Sequence, residues 1–150
     1  EGEQKPRAWL RTDAAEGYGV FSPDGRWVAY FSTETGWPEI YVQGFPEIRG
    51  KWVVSQGGGM RPKWRADGKE LYWATPGGEL MAAPIDLQPQ VVRVGKPEVL
   101  FRLPTRERSN SGVEFEPARD GRRFLTLDPV GEPRDPPMVV VLHWAAGLGK

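Results

Sequence analysis

Phe21-Ser22-Pro23-Asp24-Gly25-Arg26-Trp27-Val28-Ala29-Tyr30 recurs as Trp64-Arg65-Ala66-Asp67-Gly68-Lys69-Glu70-Leu71-Tyr72-Trp73. A third copy is Pro117-Ala118-Arg119-Asp120-Gly121-Arg122-Arg123-Phe124-Leu125-Thr126. In each copy Asp is followed by Gly, a basic residue, a variable residue and an apolar one. The third copy is degenerate, with Pro117 where the others have Phe21 and Trp64. The chemistry is that of a hairpin corner. Pro23 presets φ, Asp24 folds its carboxylate onto nearby amides, and Gly25 takes the positive φ that closes the bend. Asp67-Gly68 and Asp120-Gly121 are read the same way, because Asp-Gly between β-rich runs signals a hairpin.

The corner aspartates are 43 and 53 positions apart, and a four-stranded propeller blade takes roughly 40 to 50 residues. The surplus in the second interval is assigned to the polar stretch 105–111. Strands are expected between the corners at 39–42, 51–55, 79–82 and 97–101, and after the third corner at 139–143. Residues 7–11 are expected to be the outer strand of a blade whose other strands are absent. The fold expected is all-β: a partial β-propeller of about three four-stranded antiparallel blades, at about 18–56, about 60–102 and, degenerate, about 112–144.

Composition agrees with many short strands. There are 19 Gly, 15 Pro and 7 Trp in 150 residues, so turn residues punctuate aromatic and β-branched runs. Lys plus Arg and Asp plus Glu are 20 each, which gives no long-range attraction to nucleic acid. No apolar run approaches the roughly 18 residues of a membrane helix. With no cysteine, disulfides, thiolate catalysis and Cys-ligated metals are excluded. The chain opens on Glu1 rather than Met, and the expectation is that an N-terminal portion lies outside it.

No catalytic, cofactor or metal residues are assigned. His143 is the only histidine, which rules out a His-rich metal site, and no Gly-x-Ser-x-Gly elbow supplies a nucleophile for it to serve as general base. The three aspartates are read as turn formers that lie apart around a rim, not as a carboxylate pair. Gly57-Gly58-Gly59 lacks the Lys-Ser/Thr of a phosphate loop and is read as a flexible connection between blades. Candidate contact loops are 33–38, 57–62 and 102–112, with Trp37, Arg61 and Arg106 as candidate contact residues. Three blades leave two open flanks of apolar sheet. Further blades of a parent chain, or a second copy, are expected to cover them. A protein partner is expected, without nucleic acid and without membrane insertion by this segment.

The 21–30 motif, with Gly36-Trp37-Pro38-Glu39-Ile40-Tyr41-Val42 behind it, resembles the WD40-like PD40 repeats of the TolB-type propeller family over residues 7–145. More narrowly, 39–46, 51–55, 57–59 and 67–71 resemble repeats found C-terminal to bacterial serine/threonine protein kinase domains. The 139–144 stretch is similar to the C-terminus of such proteins, which implies that residue 150 lies near a native end. The resemblance implies a non-catalytic sensor or docking region. Kinase activity is not implied, since the phosphate loop, the His-Arg-Asp loop and Asp-Phe-Gly are absent. A propeller gate of a prolyl-oligopeptidase-like hydrolase, or a TolB-like periplasmic protein of the envelope, are the alternatives. Composition assigns no compartment, and the TolB-type resemblance implies a periplasmic one.

Overall fold

In a computed structural model, residues 5–103 and 114–127 are described, together with the backbone of 138–141. Arg106 and His143 lie outside the described residues. The described chain is all-β and antiparallel, with no helix.

The first sheet runs β1 (Glu16–Phe21), β2 (Trp27–Ser32), β3 (Glu39–Gly44) and β4 (Trp52–Val53) in chain order. The second begins with β5 (Met60–Trp64), β6 (Glu70–Ala74) and β7 (Glu79–Gln88). β7 is longer than the sequence suggests. Its first half pairs with β9 (Glu98–Arg102), and its second half folds back at Pro89-Gln90 onto β8 (Val91–Val94). This sheet therefore has five strands rather than four. The third contains β10 (Phe115–Pro117), β11 (Phe124–Leu127) and β12 (Met138–Val141), three strands among the described residues.

Each sheet hides one face against its neighbour. Trp27, Ala29, Ile40, Val42 and Val54 of the first interlock with Leu71, Trp73, Ala83, Ile85 and Val92 of the second. Tyr72, Ala74, Leu80, Ala82 and Leu100 of the second meet Phe115 and Phe124 of the third. Alternation along β6 sends Leu71 and Trp73 one way and Tyr72 and Ala74 the other, as a strand's period of two requires. A blade wedged between neighbours thus buries both faces, which is why β6 is buried almost throughout. Residues 7–11 do not form the expected outer strand. They are irregular, and Trp9 and Leu10 lie on Val28, Tyr30 and Tyr41 of the first sheet.

The three corners share one geometry. Gly25, Gly68 and Gly121 have φ of 69°, 71° and 66°. Their amides donate to the C=O of Ser22, Arg65 and Ala118, each at 2.9 Å. The amides of Arg26, Lys69 and Arg122 donate to the carboxylates of Asp24, Asp67 and Asp120 at 3.1, 3.0 and 2.9 Å. Their surroundings differ. A Cβ at Gly25 meets nothing within 4 Å, whereas one at Gly121 falls 2.5 Å from the Tyr72 hydroxyl and 2.7 Å from Arg65 Cδ. Gly25→Ala is expected to cost only the left-handed penalty, about 1–2 kcal/mol. Gly121→Ala is expected to cost visibly more, because it also pushes the third sheet off the second. Urea unfolding of the two variants checks the order.

The connection 57–59 is held rather than loose. The Glu39 carboxylate accepts from the amides of Gly57 and Gly58 at 3.0 and 3.1 Å and from the Ser55 hydroxyl. The Gly59 amide donates to Pro38 C=O at 2.7 Å. Satisfied backbone groups on a short tether leave little freedom to flex.

Candidate functional site

The sheets converge at their first strands, β1, β5 and β10. Two residues there have φ values that L side chains seldom adopt: Tyr18 at 52° and Arg61 at 57°. Both sit at bulges, where the pairing of β1 with β2 shifts between Gly17 and Val20, and that of β5 with β6 between Met60 and Lys63. Bulges re-aim side chains, and strain of this kind gathers at functional positions.

The repeat explains the match. Tyr18, Arg61 and Glu114 each stand six residues before a corner aspartate. The structure brings them into one line. Arg61 Nη2 donates to the Tyr18 hydroxyl at 3.2 Å, and Arg61 Nη1 donates to Glu114 at 3.0 Å. The guanidinium carbon lies 4.7 Å from the Tyr18 ring centre, a cation–π placement. Two residues further along, Lys63 pairs with Glu116 at 2.7 Å. The Arg61 side chain is only 13% exposed, against 58% for Glu114. A mostly desolvated guanidinium is thus held between an aromatic face and a wetter carboxylate.

These groups line a cleft of about 470 Å³. Val20, Pro62, Phe115, Leu125 and Leu127 supply apolar walls. The size falls in the range of sites that take a small molecule or a short peptide segment. The mix of apolar wall and a few aimed polar groups suits recognition. Among the described residues, no group of three or more His, Cys, Asp or Glu side chains could hold a metal ion.

The residues singled out from sequence fall in different places. Arg61, expected on a face loop, lies instead in β5 at the centre of the cleft. Trp37 is 55% exposed on the β2–β3 loop, and its Nε1 lies 2.9 Å from where a Cβ at Gly58 would stand. Pro23, Asp24, Asp67 and Gly68 of adjacent corners come side by side on one face, with Pro23 Cδ 3.5 Å from where a Cβ at Gly68 would be. Tyr18, Lys63, Glu114 and Glu116 were missed. The repeat alignment, carried six residues upstream of each corner, contains the signal.

Asp67 is the most perturbed of the corner carboxylates. Arg65 donates to it in bidentate fashion at 2.8 and 2.9 Å. Those bonds, with the Lys69 amide, outweigh partial burial and hold the carboxyl at about 2. Its unfolded value is near 4. The stabilisation is therefore complete above about pH 4 and fades as pH falls through about 2. Asp67 is 46% exposed, so solvent screening limits the effect to a few tenths of a kcal/mol. The stability gap between wild type and Asp67→Asn is expected to shrink toward zero between pH 4 and pH 2, read from urea midpoints.

No family model matches the chain, and no curated protein matches it. Among solved structures, TolB from Acinetobacter baumannii is similar, with a TM-score of 0.54 and 19% identity. The likeness covers 83% of this chain and 29% of the TolB chain, so this sequence spans less than a third of that protein's length. Three successive antiparallel sheets, repeated Asp-Gly corners and this likeness make the chain an arc of blades with the β-propeller fold seen in TolB.

Proposed function

We propose that the chain is a non-catalytic binding scaffold whose recognition surface is the cleft at the convergence of β1, β5 and β10, and that its ligand is an extended protein segment. One observation carries this reading: Tyr18, Arg61 and Glu114, at the same position of three repeats, form a continuous polar line over an apolar cleft. Corner aspartates and buried aromatics serve the sheets themselves, whereas this line serves no turn and stands partly open to solvent. The cations there are paired with carboxylates, an arrangement that orients a bound chain by exchange of hydrogen bonds.

The test is a peptide-display selection on the chain, followed by titration of the enriched peptides. Arg61→Ala is expected to weaken them at least tenfold, with an unchanged far-UV circular dichroism spectrum. Peptides that bind wild type and Arg61→Ala equally, or a selection that enriches none, would contradict the reading.

The finer proposal is that the parent is a serine/threonine kinase-type protein. It rests on the resemblance of 39–46, 51–55 and 67–71. Kinase motifs upstream in the parent gene support it. A nucleophile elbow downstream supports the hydrolase gate instead.

A further inference from the structure

Among the described residues, four charged side chains line the cleft: Arg61, Lys63, Glu114 and Glu116. They stand as two rungs, Arg61–Glu114 at 3.0 Å and Lys63–Glu116 at 2.7 Å. Both cations belong to β5, and both carboxylates to the chain that enters and forms β10. The members of each set are two residues apart, the spacing that puts side chains on one face of an extended segment. Glu114-Phe115-Glu116 therefore lies on Arg61-Pro62-Lys63 as an acidic extended chain lies on a basic one.

The two sides of the rungs are unequal. The side chains of Arg61 and Lys63 are 13% and 36% exposed, against 58% for Glu114 and 61% for Glu116. Arg61 is further fixed by the Tyr18 hydroxyl and ring. A desolvated guanidinium needs a carboxylate beside it, whereas a carboxylate that is already wet gains little from an ion pair. The resting bond is also incomplete. Glu114 accepts from Nη1, and the buried Nε of Arg61 has no hydrogen-bond partner among the described residues. A carboxylate can take two guanidinium nitrogens at once. Exchange at this ladder therefore belongs to the carboxylate side: the cations stay and the carboxylates are replaceable.

We propose that the segment recognised by the cleft is acidic, with carboxylates at alternate positions, and that Glu114 and Glu116 are internal stand-ins which it displaces from Arg61 and Lys63. This rests on the cleft being the recognition surface. The incoming carboxylates take the buried cations, the side chains between them meet the apolar wall of Val20, Phe115 and Leu125, and the released glutamates turn to water. Glu114 and Glu116 thus weaken binding by competition. A basic segment would instead need both in place.

Calorimetric titration with capped hexapeptides that alternate valine with glutamate, glutamine or lysine tests this. The wild-type chain is expected to prefer the glutamate peptide. The double variant Glu114→Gln, Glu116→Gln is expected to bind that peptide about tenfold more tightly and to gain nothing toward the glutamine peptide. Both glutamates are more than half exposed, so the circular dichroism spectrum should be unchanged. Glu116→Gln alone, away from the buried guanidinium, should give a smaller gain of the same sign, and it carries the comparison if the double variant unfolds. A glutamate peptide that gains nothing from these substitutions, a preference for the glutamine or lysine peptide, or no binding of any of the three would each overturn the proposal. The cleft itself survives those results if display selection still yields peptides weakened by Arg61→Ala, whereas a selection that enriches none ends both readings.

Discussion

Trp73→Ala is expected to remove about 3–5 kcal/mol of stability, the usual cost of deleting a buried indole. The side chain is 1% exposed and stands in the middle of the joint between the first two sheets. Ile40 and Ala83 cannot collapse into the gap, since both sit on paired strands at fixed spacing. For a chain of this size each kcal/mol lowers the melting temperature by roughly 2–4 °C. A loss on the order of 10 °C by calorimetry is therefore the expected reading. Trp73→Phe restores most of the buried volume and should recover more than half of it. A loss of under about 1 kcal/mol in the alanine variant would mean that the two sheets do not share this core.

Phe124→Ala is expected to cost a similar amount, about 3–5 kcal/mol, but in a different place. The ring is fully buried and meets Tyr72 edge-on at 5.1 Å and Phe101 at 5.5 Å. Its loss loosens the third sheet from the second, while the joint built on Leu71 and Trp73 keeps its partners. In arrays whose units touch only their neighbours, stability divides among the joints. Hydrogen exchange should therefore accelerate strongly in 115–127 and little in 27–42 for Phe124→Ala. For Trp73→Ala, 27–42 should accelerate as well. Uniform acceleration in both variants would contradict a division by joints.

The fold was readable because its punctuation is local. Pro23-Asp24-Gly25 needs nothing distant to bend, and two further Asp-Gly pairs at blade-like spacing imply equivalent sheets. The two-sided burial of β6 is a property of the fold, since Leu71 and Trp73 meet one neighbouring sheet and Tyr72 and Ala74 the other. The misreadings involve long-range partners. Nothing near Gly57-Gly58-Gly59 reveals that Glu39, nearly twenty residues away, holds two of its amides. The β8 hairpin hides in Ile85–Val94, where Ile85, Leu87, Val92 and Val94 stand among Asp86, Gln88 and Arg93 and only Pro89-Gln90 marks the two-residue bend. Residues 7–11 have strand composition, but a strand needs a neighbour to bond, and the first sheet offers them only side chains. Arg61 was noticed as a basic residue near a loop. Its role became visible only when the fold set three repeat positions beside one another.

Glu39 also sets where the second sheet begins. By gripping the amides of Gly57 and Gly58, it turns three glycines into a strut of fixed length. With the Gly59 amide also bonded to Pro38 C=O, β5 leaves the first sheet from a fixed point, and the placing of the second sheet beside the first is set at that tether.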